Sequence, residues 1–268
     1  HRNLKPPAGG ETPSARHSSV LQAAFDDYVR RGGFPEAQAA EREEDRTRLL
    51  QGYVDAVLFR DVAERHSVQN LSALRLMVRQ LLRNPATPLS VSKISRDFHS
   101  QGIAASKETL LSFMTYLEDA FLVFALPVFA RSERRRQVNP RKLYLADHGL
   151  AAAFSPTATL DRGHLLENIV ACELARCSRD LAYYKTPGGL EVDFISRGFD
   201  GRERLIQVAA DVSDPRTWQR EVAALQEAKA GRPQAELLLL CEEVPDRGME
   251  IPEGIHVEPV WRWLLGGR

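Results

Sequence analysis

The sequence predicts an α+β protein, helical in its N-terminal half and built on a mixed central sheet in its C-terminal half. Three observations carry this. Between residues 20 and 120 the apolar residues recur at intervals of three and four, as in LSALRLMVRQLL and KETLLSFMTYLEDA; that is the period of a helix buried along one face. From Gly163 a further helix pattern, GHLLENIVACELARC, is followed by three strand-like runs, LAYYK, LEVDFIS and RLIQVAA. The first two are joined across Pro187-Gly188-Gly189, a turn signal. Glu236–Cys241, ELLLLC, is a continuous apolar run bounded by polar residues, which suits a strand covered on both faces.

Taken in order, residues 1–19 are rich in Pro, Gly, Ser and charge and read as a disordered tail or linker. Residues 20–70 read as a helical linker. An amphipathic turn or two is expected from Val20 to Val29, ended by Gly32-Gly33 and kept from resuming by Pro35. Glu41, Glu43, Glu44 and Asp45 then open a long helix, since acids in a first turn complement the helix dipole. Leu49, Leu50, Tyr53, Val54, Val57 and Leu58 form its apolar stripe, while Arg60-Asp61 and Glu64-Arg65 read as a solvated, locally paired face.

Residues 71–150 read as one small unit. Leu74, Leu76, Met77, Leu81 and Leu82 define a helix ended by Asn84-Pro85. Ser90 to Phe98 gives a second, closed by Gly102, and Ser106 is a good N-cap for a third. FLVFALPVFA and KLYLAD follow as strands on either side of RSERRRQVNPR. Three helices followed by strand, basic loop and strand resemble a winged helix-turn-helix. That resemblance implies a third helix in the major groove and a wing on the phosphate backbone. Residues 131–142 hold Arg131, Arg134, Arg135, Arg136, Arg141 and Lys142 against the single acid Glu133, a composition suited to phosphates. Arg131, Arg134, Arg135 and Arg136, with Lys107 on the third helix, are therefore the expected nucleic-acid contacts. The third helix also carries Glu108, Glu118 and Asp119, so protein contact stays open beside DNA.

Residues 151–268 carry the candidate chemistry. Side chains i and i+2 of a strand share a face, so Glu191 and Asp193 point one way and Val192 and Phe194 the other. Gln207 and Ala209 share a face on the next strand, opposite Ile206 and Val208. Oxygens converging at one edge of a sheet are what a Mg²⁺ ion needs to hold a phosphate and activate a water. Helix acid, strand, Val-Asp-Phe strand and Gln-x-x strand resemble the restriction-endonuclease-like superfamily, whose signature is Asp, then Glu or Gln, one residue, and Lys. The resemblance assigns the Asp to Asp193, the Glu/Gln to Gln207 and the helix acid to Glu167, with Glu167 and Asp193 as a weak metal site. It assigns the lysine to Ala209, which can neither orient a water nor stabilise charge on a phosphate. A turn of two or four residues would put Lys185 on the face opposite Asp193, the simpler reading; a three-residue loop or a bulge would reverse this. The site therefore reads as degenerate, with solvated, metal-free acids as the alternative. Beyond it, Asp214-Pro215 opens a helix with Trp218, Val222, Leu225 and Ala228 inward, on which Arg220-Glu221 reads as a local salt bridge. Ile255 to Pro259 is an expected edge strand, and Trp261, Trp263 and Leu264 belong to a closing helix.

Composition excludes several classes. The 268 residues carry 36 basic and 36 acidic side chains, for a formal net charge of zero, so only local patches can attract nucleic acid. Cys172, Cys177 and Cys241 form no CxxC pair and read as reduced thiols of a cytoplasmic protein. The seven histidines show no HxxxH or HExxH spacing, against a zinc site. No run of membrane-spanning length and no signal peptide is visible, so no membrane partner is expected. The chain begins at His1 and reads as a fragment of a longer protein.

From about Tyr28 to Gln226 the chain resembles the C-terminal domain of unknown function appended to bacterial and archaeal AAA-type ATPases. The matching words are YVRRGGFPE from Tyr28, Arg60-Asp61, Ser90, YLEDAF from Tyr116, KLY from Lys142, DHGL from Asp147, LEN from Leu166, EVDF from Glu191 and Gln207-Val208. The resemblance implies an ATPase domain N-terminal to this chain as its partner. GxxxxGK[ST] is absent from the sequence, so ATP is expected only through that other domain. The expected function is a non-catalytic DNA-binding or interaction module. The alternatives are a weak Mg²⁺-dependent nuclease and a protein-interaction scaffold.

Overall fold

The computed structural model describes residues 15–130, 132–155, 160–244 and 250–266. Among them helices alternate with a three-stranded sheet and a five-stranded sheet. Two compact units divide the chain. One is Arg31–Asn168; the other joins the N-terminal residues up to Arg30 with Ile169–Arg268. Residues 31–70, expected as a linker, belong to the first of these.

Helix α1 (Ala15–Arg31) starts inside the expected tail and runs longer than the turn or two foreseen. After Pro13 no Gly or Pro interrupts the chain until Gly32, so nothing stops the helix that buries Leu21, Phe25 and Val29 at four-residue spacing.

Within Arg31–Asn168 the chain forms α2 (Pro35–Ala39), then α3 (Glu43–Ala56), which continues as a π-helical segment, Val57–Glu64. Next come α4 (Leu71–Leu82), β1 (Thr87–Leu89), α5 (Val91–Ser100), α6 (Lys107–Asp119), β2 (Val123–Leu126), α7 (Glu133–Val138), β3 (Arg141–Leu145) and α8 (Gly149–Phe154). Side chains cap three of these helices. Asn70 accepts from Ala73 N–H at 3.0 Å, Ser90 from Lys93 N–H at 3.2 Å and Ser106 from Thr109 N–H at 3.1 Å. Each such cap stabilises its helix by about 1 kcal/mol. The expected apolar stripes face inward: Leu74, Met77, Leu81 and Leu82 of α4 and Leu110, Phe113, Met114 and Leu117 of α6 are buried.

Two elements depart from expectation. The three-residue β1 pairs antiparallel with β3, giving the strand order β1-β3-β2. It is too short to show alternation, and its edge position tolerates Pro88. The segment expected as an open basic loop contains α7. Residues 131–139 hold no Gly or Pro, and Glu133 meets Arg136 one turn on, at 3.7 Å. That is a helical i,i+3 pair.

The chain enters the second unit within α9 (Arg162–Cys177). It continues as β4 (Ser178–Lys185), β5 (Glu191–Gly198), β6 (Glu203–Ala209), α10 (Pro215–Gly231), β7 (Glu236–Cys241), β8 (Ile255–Pro259) and α11 (Val260–Gly266). Strand order follows chain order. β4, β5 and β6 are antiparallel, whereas β6, β7 and β8 are parallel, so the sheet is mixed. β7 is interior, as its unbroken apolar run requires; burying Leu239 and Leu240 completely contributes about 1.5–3 kcal/mol each. Helix α10 is capped by Asp214, starts on Pro215 and lays Trp218, Val222, Leu225 and Ala228 against the sheet. Among the described residues no helix is long and apolar enough to cross a membrane.

Candidate functional site

The site of the second unit forms where the backbone ladder of β5 and β6 ends. The ladder runs from Arg197 opposite Glu203 to Phe194 opposite Ile206. Beyond that pair, side chains replace it. Asp193 N–H donates to Gln207 Oε1 at 3.2 Å, and Val208 N–H donates to Asp193 Oδ2 at 3.0 Å. The Gln207 amide then reaches α10, donating through Nε2 to Glu221 Oε2 at 2.6 Å. Glu221 Oε1 accepts from Arg220 Nη2 at 2.5 Å and Nε at 3.0 Å. Asp193, Gln207 and Glu221 are all buried. Buried polar groups require such partners, and here the candidate residues supply them to one another.

Burial pushes the Glu221 carboxyl above its ordinary pKa; Arg220 opposes this and the nearby Asp193 charge adds to it. The Glu221 contact in turn holds the Arg220 guanidinium above its usual value. Because folding raises the Glu221 pKa, the folded chain keeps a proton that the unfolded chain releases. The resulting stability is full below the ordinary carboxylate value and is lost as pH rises through the raised one. Glu221→Gln is expected to flatten that fall in a series of urea midpoints from acidic to neutral pH. A profile parallel to wild type would exclude Glu221 as its source.

The other expected residues lie as follows. Ala209 is buried at the end of β6, opposite Cys241 of β7. Glu191 stands opposite Lys185 in register, with Lys185 Nζ at 4.0 Å from its carboxylate and 5.8 Å from the Tyr183 ring centre. Lys185 thus shares the face of Glu191, whereas the simpler expectation paired it near Val192 or Leu190. Five residues separate the paired Lys185 and Glu191, an odd number, and a bulge follows between Ala182 and Tyr184.

Glu167 belongs to the Arg31–Asn168 unit. Its Oε1 accepts from Tyr144 OH at 2.7 Å and lies 2.8 Å from Lys142 Nζ. Asn168, the next residue, accepts from Leu145 N–H at 2.8 Å and donates to Leu145 O at 3.1 Å. In the sequence Lys142 starts the expected strand KLYLAD and adds to the basic composition of residues 131–142 that suits phosphates. It is instead buried, because strand alternation puts Lys142 and Tyr144 together on the face that meets Glu167. That alternation was legible; so was the inner-face spacing of Glu221 from Trp218.

Among the basic residues, Arg134 and Lys107 are exposed. Arg136, also exposed, donates through Nε to Ala130 O at 2.9 Å. Arg141 is paired with Glu118 at 3.1 Å. Arg131 and the side chain of Arg135 lie outside the described residues. Among the described residues no group of three or more His, Cys, Asp or Glu side chains is placed to hold a metal ion. Asp193 Oδ2 and Gln207 Oε1 each accept a backbone N–H of the neighbouring strand.

Residues 22–161 match the family model of a domain of unknown function, DUF8612. An uncharacterized protein of Methanocaldococcus jannaschii is 28% identical over 263 residues, covering 93% of this chain and 58% of its own length. An uncharacterized protein of Haemophilus influenzae is 26% identical over 197 residues, covering 74% of this chain and 48% of its own. The chain spans about half the length of the curated relatives it matches.

Proposed function

The chain belongs to the DUF8612 family, and on that premise we propose that it is a non-catalytic interaction module on a nuclease-like scaffold, working within a longer, ATPase-type protein. One observation carries the non-catalytic reading: each polar side chain at the nuclease-like positions is engaged by a partner within its own unit. Asp193 holds Val208 N–H, and Gln207 bridges Asp193 N–H to Glu221. Glu167 is bound to Lys142 and Tyr144, and Ala209 presents a methyl group where the resembled nucleases carry an ammonium.

The scaffold reading is supported by element order. A helix, an antiparallel three-strand meander, a helix and a parallel strand follow one another in the second unit. In Arg31–Asn168, the order α4-β1-α5-α6-β2-β3 with sheet order β1-β3-β2 supports a winged-helix reading. Interaction with protein is favoured over DNA by α6, whose exposed face carries Glu108 and Asp119, charges that repel phosphates. The extra length of the relatives leaves room for a nucleotide-binding domain beside this module.

Incubation of the chain with DNA and with RNA in Mg²⁺ or Mn²⁺ is expected to give no cleavage above an Asp193→Ala control. Metal-dependent cutting that disappears in the control would replace this reading with that of a weak nuclease. Activity gained by Ala209→Lys would support the degenerate-site argument directly.

A further inference from the structure

We infer that the chain dimerises through β8, two copies pairing this strand antiparallel about Val257 so that one sheet continues across a two-fold axis. β4 and β8 are the edges of the five-stranded sheet. An edge strand offers a row of unpaired backbone groups to a second strand, and natural sheets blunt such edges with charges and bulges. β4 is blunted in this way: Arg179, Asp180 and Lys185 are exposed along it, and its register with β5 shifts twice. β8 keeps an unbroken register with β7 from Ile255 to Pro259. Its two ionisable side chains, His256 and Glu258, are of opposite sign when the imidazole is protonated.

Backbone direction shows what this edge offers. Successive residues of a strand turn their N–H and C=O to opposite sides. Pro259 has no N–H to give, and proline within a strand stands where that group would face away from the ladder. Ile255 gives its N–H to Pro252 O at 3.2 Å. The Glu258 carbonyl, by contrast, is turned toward β7, where Cys241 Sγ donates to it at 3.6 Å. Ile255, Val257 and Pro259 therefore direct their backbone outward. Among the described residues nothing accepts the Val257 N–H or donates to its C=O.

Val257 is the middle residue of β8, and two-fold pairing sets it opposite its own copy. There it would exchange both N–H···O bonds with Val257 of the second copy. The same register fixes the neighbouring pairs: His256 stands opposite Glu258 of the other copy on each side of the axis. These are non-hydrogen-bonded positions, where side chains of an antiparallel pair come closest, and opposite charges there attract. Within one chain His256 Nε2 already lies 3.5 Å from Glu258 Oε1, with side-chain exposures of 69% and 13%. Both residues border a groove of about 630 Å³ with Arg204, Glu236 and Leu238, so their face is open to solvent. One cation and one anion at equal distance from Val257 form a pattern that its own reversal complements. The contact is therefore isologous and closes as a dimer. So short a strand buries little surface, which makes the dimer weak.

The test is sedimentation velocity on the full chain from micromolar to millimolar concentration, where reversible dimers are expected. Val257→Pro should abolish them and leave the melting temperature near wild type, since the N–H it removes takes no part in the ladder. Should that variant fail to fold, His256→Glu decides. It replaces an exposed side chain, sets two acids opposite each other on each side of the axis and should weaken the dimer about tenfold. His256→Lys, which keeps a positive charge, should hold the dimer as tightly as wild type or more so. A wild type that is monomeric at every concentration overturns the inference and leaves the edge to a strand of another protein. Dimers undiminished in a folded Val257→Pro variant, or in His256→Glu, overturn it too. Equal losses in His256→Glu and His256→Lys would do the same, because charge would then play no part in the register.

Discussion

Lys142→Met is expected to destabilise the chain by about 3–5 kcal/mol, as removal of one partner from a buried ion pair does. The side chains of Lys142 and Glu167 are 6% and 9% exposed, and their charged atoms lie 2.8 Å apart. Methionine fills similar volume, so little of the loss comes from packing. It comes from Glu167, left buried with its charge while Tyr144 OH remains on the same oxygen at 2.7 Å. Replacing both charged partners, Lys142→Met with Glu167→Gln, is expected to recover much of the loss, since neutral groups are cheaper to bury than one unpaired charge. Denaturant midpoints of the two single variants and the double would measure this. A Lys142→Met midpoint indistinguishable from wild type would mean that Glu167 is stabilised chiefly by other groups.

That pair also marks where sequence reasoning stopped. The helices of Arg31–Asn168 were legible because their caps and apolar spacing are local: Ser90, Ser106 and the α4 and α6 stripes all act within a few residues. The interior position of β7 was legible for the same reason, as an apolar run leaves no solvated face. The burial of Lys142 was not, because a lysine that follows five arginines within eleven residues reads as part of a basic segment until its strand is known to meet a helix bearing Glu167. β1 was invisible because three residues carry no period, and its pairing with β3 spans more than fifty residues of chain. Lys185 was misplaced by a parity argument that assumed an even-numbered connection, where the chain uses five residues and a bulge.

The candidate site was legible as residue types and illegible as bonding. Asp193 and Gln207 stand on adjacent strands as their spacing implied. Glu221 was read as a neighbour of Arg220 only, which it is, but it also receives the Gln207 amide. One helical residue with two partners, one local and one on the sheet, is visible only after α10 docks. The same holds for GGFPE and ADHGL, two words far apart in sequence whose meaning is a single contact.

That contact gives the second large effect. Asp147 accepts from Gly33 N–H at 2.6 Å and from Gly149 N–H at 2.8 Å, fastening two backbone segments 114 residues apart. The segments approach so closely that neither flanking glycine has space for a methyl group. A Cβ on Gly32 would lie 2.5 Å from Asp147 Oδ1 and 2.8 Å from Gly149 Cα; one on Gly149 would lie 2.7 Å from Gly32 Cα and 2.9 Å from Arg31 O. These are mostly backbone atoms, which cannot turn aside as a flexible side chain would. Overpacking of this kind costs about 1–3 kcal/mol, and at Gly32, where φ is +90°, an L side chain adds about 1–2 kcal/mol of backbone strain. Gly32→Ala is therefore expected to lose about 2–5 kcal/mol in all. Gly149→Ala should lose less, and its sign is the sharper test. Gly149 opens helix α8, where alanine would by propensity alone stabilise by up to about 1 kcal/mol. If the close approach governs, Gly149→Ala lowers the denaturation midpoint; if propensity governs, it raises it, and the clamp between the two glycines is looser than these distances imply.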